Sequence, residues 1–178
     1  MKKMIALLIF FGLVQIVSAI TIKLIPNGDV YTNQLTAINC SSSTHWNCVD
    51  EYIVNTTDYL YSNESNKSET FTFTDLPDRG TYTIHDVELR YYARGLSGTN
   101  LTLTPIIRTS TNITYGSPIA LSMYYTEVYQ KFYTNPLNGQ NWTKSSVDAL
   151  VAGAKTGGFS NGIFMIAQIY AIVNYTLS

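Results

Sequence analysis

From Thr83 to Arg94 the chain reads T-I-H-D-V-E-L-R-Y-Y-A-R, with Val87, Leu89, Tyr91 and Ala93 at alternate positions and Asp86, Glu88, Arg90, Tyr92 and Arg94 out of phase with them. Successive side chains on a strand point to opposite faces, so this pattern predicts a strand with one dry face and one wetter face. The wet face carries both charge signs, which suits an exposed or interfacial sheet surface better than a sandwich interior. The stretch is expected in the middle of an antiparallel sheet.

Shorter patterns surround it. Ile20–Ile25 alternates as a first strand, and Pro26-Asn27-Gly28-Asp29 reads as the turn after it. Val30–Ile38 is a weaker strand, and Tyr52-Ile53-Val54 and Tyr59-Leu60-Tyr61 are short ones. Glu69–Leu76 sets Phe71 and Phe73 against threonines. Leu101, Leu103, Ile106 and Ile107 mark a strand whose register changes near Pro105, the signature of a bulge or sheet edge. Ile113–Tyr115, Ile119–Leu121 and Tyr124–Tyr133 follow, then a turn at Asn135–Gly139. Thr143 or Ser145 can cap a helix of about two turns carrying Val147, Leu150 and Val151, bounded by Gly153 and Gly157-Gly158. Ile163–Tyr175 is apolar on both faces, as a central or covered strand is. Many short strands, polar turns and one brief helix predict an all-β fold, an antiparallel β-sandwich of jelly-roll type with one short helix.

The N-terminus does not belong to that pattern. Lys2 and Lys3 precede the apolar run Met4–Val17, and Val17-Ser18-Ala19 offers small residues for cleavage. This order predicts a signal peptide over 1–19 and a single β-sandwich domain over 20–178, secreted or held at an extracellular surface; an uncleaved anchor is the rival reading. Without Lys2 and Lys3, nine basic residues face twelve acidic ones. No basic patch is present, which argues against nucleic acid as a partner. No second long apolar run exists, so no membrane span is expected in the mature chain.

Cys40 and Cys48 are the only cysteines. In an exported chain they predict a disulfide, worth roughly 2–3 kcal/mol from loop closure. His45 lies between them near Ser41, Ser42 and Ser43, but no residue pattern orients a Ser–His pair, and no catalytic residue is nominated. Asp50, Glu51 and Asp58 supply hard oxygen atoms of the kind calcium takes, so calcium is the one candidate cofactor, although their spacing is not that of an EF-hand. Trp46 and Trp142, with fourteen tyrosines, offer flat rings with polar tips, suited to stacking on a ligand or packing at an interface. Eight N-x-S/T tripeptides, at Asn39, Asn55, Asn63, Asn66, Asn100, Asn112, Asn141 and Asn174, are candidate glycan acceptors.

The stretches H-W-N-C-V-D-E (45–51), E-T-F-T-F-T-D-L-P (69–77), T-I-H-D-V-E-L-R-Y-Y-A-R (83–94), N-P-L-N-G-Q-N-W-T-K-S-S-V-D-A-L-V-A-G (135–153) and Q-I-Y-A-I-V-N-Y-T (168–176) together resemble a diffuse group of jelly-roll modules. The group occurs in exported microbial surface proteins and phage structural proteins, and is similar in outline to carbohydrate-binding sandwiches. The resemblance implies an adhesive, structural or glycan-binding role and carries over no site residue. The first expectation is therefore a non-enzymatic structural or adhesion domain, at a cell surface or in an extracellular or virion assembly. A carbohydrate-binding module is the alternative, and a polysaccharide-degrading enzyme the next. The partners expected are glycans or other surface proteins, or further copies of the chain. For self-assembly the Ile20–Ile25 strand is the candidate donor, against the ordinary reading that it pairs within its own sheet.

Overall fold

A computed structural model describes residues 18–40, 44–96, 100–158 and 162–178. All but the end of the expected signal peptide, and Ser41–Ser43, lie outside these residues. The described chain is an antiparallel β-sandwich of two sheets, each six-stranded among the described residues.

Sheet A holds β1 (Ile20–Leu24), β3 (Thr36–Ile38), β4 (Tyr59–Ser62), β6 (Tyr82–Leu96), β10 (Thr126–Phe132) and β12 (Ile163–Leu177). Its order is β10-β6-β12-β4-β3, with β1 also paired to β12. Sheet B holds β2 (Pro26–Asn33), β5 (Ser68–Phe73), β7 (Thr102–Arg108), β8 (Ile113–Tyr115), β9 (Ile119–Ala120) and β11 (Val151–Gly157). Its order is β2-β5-β11-β7-β8, with β9 also paired to β7. The expected organising strand is β6, flanked by β10 and β12.

Alternation fixes which face of each strand is dry. On β6, Val87, Leu89, Tyr91 and Ala93 are fully buried. They meet Phe71, Leu103, Ile107, Ala152 and Ala154 of sheet B in one core. The register sets Leu89 opposite Ala171 and Tyr91 opposite Ile169 of β12. A bulge between Ile166 and Gln168 then switches the parity of β12. Phe164 and Ile166 point inward before it, Ile169, Ala171 and Val173 after it, which is why the sequence reads apolar on both faces. The second irregularity leaves His85 as an extra, exposed residue on β6.

Several sequence expectations are corrected. Pro26–Asp29 is not a turn: these residues open β2, and the Asn-Gly pair is absorbed in a register shift between Pro26 and Gly28. The chain crosses from sheet A to sheet B at Ile25, the only residue between β1 and β2. Val30–Ile38 is divided between β2 and β3, which lie in different sheets. Tyr52-Ile53-Val54 is not a strand but an exposed bend. The helix is α1 (Lys144–Asp148), five residues capped by Thr143, whose hydroxyl accepts from Ser146 N while Ser146 Oγ accepts from Thr143 N. Leu150 closes the following turn, and Val151 begins β11. Pro105 sits inside β7 where β9 pairing has ended and β8 pairing has not begun, so its missing N–H leaves no gap in the ladder. β1 pairs with β12 of its own sheet, Ile20 opposite Tyr175 through Leu24 opposite Ala171.

Candidate ligand-binding face

The wet face of β6 lies on the outside of sheet A, and the register assembles what surrounds it. Asp86 is opposite Asn174, Glu88 is opposite Ile172 and Lys131, and Arg90 is opposite Tyr170 and Tyr129. Tyr92 is opposite Gln168 and Glu127, and Arg94 is opposite Met165. Because facing residues in a ladder share a face, these side chains form one surface.

The half of this surface around Arg90 is a closed ion network. Arg90 reaches Glu88 at 2.6 Å and Glu127 at 2.7 Å, and Lys131 reaches Glu88 at 2.8 Å and Asp86 at 3.6 Å. Asn174 donates to Asp86 at 2.6 Å, and the Tyr170 hydroxyl donates to Glu127. Burial alone would raise the Glu88 carboxyl; hydrogen bonds from Lys131 and Arg90 outweigh it and hold the group below its ordinary range. Every charge here is matched by a partner.

The other half is aromatic. Tyr92 and Tyr125 stack with ring centroids 5.6 Å apart and planes 5° from parallel. The Arg94 guanidinium lies 4.4 Å from the Tyr125 centroid and donates through Nε to the Met165 sulfur at 3.2 Å. Met165 is in register with Tyr61 of β4, so this row extends across the sheet. Burial raises the Tyr125 phenol, and Arg94 pulls it the other way.

A wall borders the face on the β1 side. Val49 O accepts from Ile169 N at 3.1 Å, tying the segment that follows to the edge of β12. Lys23 Nζ donates to Tyr52 O at 3.0 Å and lies 4.2 Å from the Tyr170 ring centroid. Gln168 donates to Glu51 O. Tyr52 and Ile53 stand outward at 79% and 82% exposure. Asp50, Glu51 and Asp58 gather in this wall. Burial pushes Glu51 up to about 7, and the hydrogen bond and charge of Asp58 add to the shift. Asp50, Glu51 and Asp58 are the three carboxylates expected as calcium ligands; among the described residues no three His, Cys, Asp or Glu side chains are grouped so as to hold a metal ion.

The tryptophans are placed elsewhere. Trp142 is 4% exposed and donates from Nε1 to Phe132 O at 2.9 Å, so it is a core ring and not a stacking platform. Trp46, in the 3-10 turn His45–Cys48, packs half-buried against the core. Tyrosine, not tryptophan, supplies the open rings. Cys40 and Cys48 form the expected disulfide, with Cα atoms 5.3 Å apart. Of the candidate acceptors, Asn39, Asn63, Asn66, Asn100, Asn112 and Asn141 are exposed. Asn55 is half-buried and holds its own sequon threonine, accepting from Thr57 N and Oγ1. Asn174 is half-buried on the outer face of sheet A, with its amide committed to Asp86.

A buried cluster was not anticipated. Glu69 lies on β5 in phase with Phe71 and Phe73, so its carboxyl points inward and is fully buried. Its Oε2 accepts from Gln34 N and Leu35 N, both at 3.0 Å, and its Oε1 lies 3.0 Å from His45 Nδ1. Asp29 accepts from His45 N at 2.9 Å and Trp46 N at 2.7 Å. The alternation E-T-F-T-F already carries the signal, since it gives Glu69 the parity of the two phenylalanines.

No family model matches the chain, and no curated protein matches it. Among solved structures, it is similar to the C-terminal CBM6 of LamC, a marine laminarinase from Zobellia galactanivorans, at 9% identity and a TM-score of 0.48, over 85% of this chain and 98% of that one. It is also similar to the CBM22-1 xylan-binding domain of Xyn10C from Paenibacillus barcinonensis, at 9% identity and a TM-score of 0.44, over 82% of this chain and 85% of that one.

Proposed function

We propose that the chain is an exported, non-catalytic β-sandwich module that binds carbohydrate on the outer face of sheet A. The observation that carries this reading is the pair of parallel rings, Tyr92 on β6 and Tyr125 just before β10, with Arg94 beside them. Sugar rings present C–H faces that pack on aromatic faces, and their hydroxyls need fixed polar neighbours; the two tyrosines offer the first and Arg94 the second. Tyr92 is held on a strand and Tyr125 is stacked between it and Arg94, so the rings need little ordering when a ligand arrives, which lowers the entropic cost of binding. Export is supported by the charged and apolar order of residues 2–19 and by the Cys40–Cys48 disulfide. The carbohydrate-binding alternative is thus preferred to the adhesion role that the sequence put first.

A protein-contact reading keeps one observation of its own, the exposed apolar bend Tyr52-Ile53-Val54. The two readings separate in one experiment. Purified protein is titrated with a panel of polysaccharides, alone and as the Tyr92→Ala/Tyr125→Ala variant. Saturable glycan binding that the double variant loses, with secondary structure retained, supports the proposal. Binding to no glycan, or binding indifferent to both tyrosines, removes this face from consideration.

A further inference from the structure

Among the described residues four cations lie along the outer face of sheet A, and three have evident partners. Arg90 and Lys131 are paired with carboxylates, and Lys23 donates to the carbonyls of Glu51 and Tyr52. Arg94 differs. Among the described residues no carboxylate lies within ion-pair distance of it; its contacts are the Met165 sulfur and Tyr125. A guanidinium carries five N–H donors in a planar fork, and a thioether is a weak acceptor for one of them. Ring stacking fixes the plane of the fork without satisfying its donors.

The neighbours leave this cation unneutralised. The row through Arg94 contains Met165, Tyr61 and Thr36, and no acid. The next row contains Tyr92, Gln168 and Glu127, and Glu127 is already held by Arg90 and Tyr170. The bland alternative is a cation–π pair that hydrates its remaining donors. Against it stands position: the fork is half-buried and lies next to the stacked rings that would hold a sugar.

Resting on the carbohydrate reading above, we infer that this face selects an acidic saccharide, with Arg94 receiving its carboxylate or sulfate ester while a neighbouring sugar ring lies on Tyr92 and Tyr125. A planar fork against a planar carboxylate makes paired, charge-assisted hydrogen bonds, stronger than those to a hydroxyl. The acids around Arg90 would repel a second close negative charge. The face therefore suits acidic sugars alternating with neutral ones better than an unbroken polyanion.

The test is a titration at low salt with four oligosaccharide probes. Hyaluronan supplies an alternating uronate, and chitin oligosaccharides are its neutral comparison. κ-Carrageenan supplies an alternating sulfate ester, and agarose oligosaccharides are its neutral comparison. At least one acidic probe is expected to bind about tenfold or more tighter than its neutral counterpart and to weaken as salt rises; which one does so names the anion. Arg94→Gln should bring that probe down to the neutral level, whereas Arg94→Lys, which keeps charge but not the fork, should recover only part of the loss. Equal affinity for acidic and neutral probes, or an Arg94→Gln variant that still discriminates, overturns the acidic selectivity and leaves the carbohydrate face standing. Absence of binding to these probes and to the wider polysaccharide panel overturns both.

Discussion

The Tyr91 hydroxyl crosses the sandwich and donates to the carbonyl of Gly153 at 2.8 Å, joining β6 of sheet A to β11 of sheet B. The phenol is fully buried, and burial pushes its pKa well above the ordinary value, so it stays a donor at any ordinary pH. Gly153 has its own constraint: a Cβ there would lie 1.8 Å from the backbone oxygen of Glu69. Tyr91→Phe should therefore cost about 1 kcal/mol, one buried hydrogen bond. Gly153→Ala should cost several times more, roughly 3 kcal/mol or above, because backbone must move. Chemical denaturation of both variants checks the ranking, and an equal loss would mean that β11 can shift away from β5.

Arg90 and Leu89 are adjacent on β6 and face opposite ways. Leu89→Asp should be severely destabilising, by several kcal/mol, since it places an unpaired charge in the shared core. Face alone would make Arg90→Asp mild. The structure argues otherwise, because Arg90 is the common partner of Glu88 and Glu127 and Glu88 is 5% exposed. Removing it leaves a buried carboxylate under-compensated, at roughly 1–3 kcal/mol even for Arg90→Gln, and Arg90→Asp should be worse. Thermal melts of the three variants should rank Leu89→Asp lowest, then Arg90→Asp, then Arg90→Gln.

The central strands were legible because the alternation Val87-Leu89-Tyr91-Ala93 is uninterrupted and its out-of-phase partners are charged. Ile163–Tyr175 was read as a central or covered strand and is central, but its double apolarity comes from the bulge at Ala167, which no periodicity reveals. β11 was hidden for a different reason. Its sequence V-A-G-A-K-T-G is mostly small and has no aromatic residue, and the neighbouring backbone leaves no room for a side chain at Gly153, so a strand with a small middle looked like a helix end. The candidate face was half legible. The alternation placed Tyr92 and Arg94 outward, but nothing local brings Tyr125 onto Tyr92; that follows from the pairing of β10 with β6. Trp142 misled because ring type says nothing about burial.

Stability should fall as pH rises through the mildly acidic to neutral range. Burial pushes Glu69 up to about 8 from an ordinary value near 4.5; the Leu35 N–H opposes this, the Asp29 charge adds to it, and the Gln34 N–H opposes it. Between those two values the folded state holds a proton that the unfolded state has lost, so proton uptake favours folding there. The contribution is complete below about 4.5 and is lost as pH approaches 8. A protonated Glu69 can donate through Oε1 to His45 Nδ1, at the 3.0 Å observed. Glu51, raised to about 7, acts in the same sense over a narrower window. Glu69→Gln should flatten the fall in denaturation midpoint between pH 5 and pH 8, and Glu51→Gln should flatten its lower part. A wild-type midpoint that does not fall across this window would mean that neither carboxyl keeps its proton in the folded protein.

The disulfide and the buried carboxyl should act together. Cys48 ends the 3-10 turn whose first residues place His45 against Glu69 and two backbone N–H groups on Asp29. Cys40 follows β3 by two residues, so the bridge pins that turn to the edge of sheet A. Reduction, or Cys40→Ala/Cys48→Ala, should lower stability by roughly 2–3 kcal/mol through loop-closure entropy alone. It should also change the pH profile. A loosened turn admits water to Glu69, and a hydrated carboxyl returns toward its ordinary pKa. The reduced protein should thus be less stable at every pH yet vary less between pH 5 and pH 8 than the oxidised one. Parallel denaturation curves with and without reductant measure both effects. A uniform loss, with the pH dependence intact, would mean that the turn keeps its place over Glu69 without the bridge and that the disulfide acts on the unfolded chain alone.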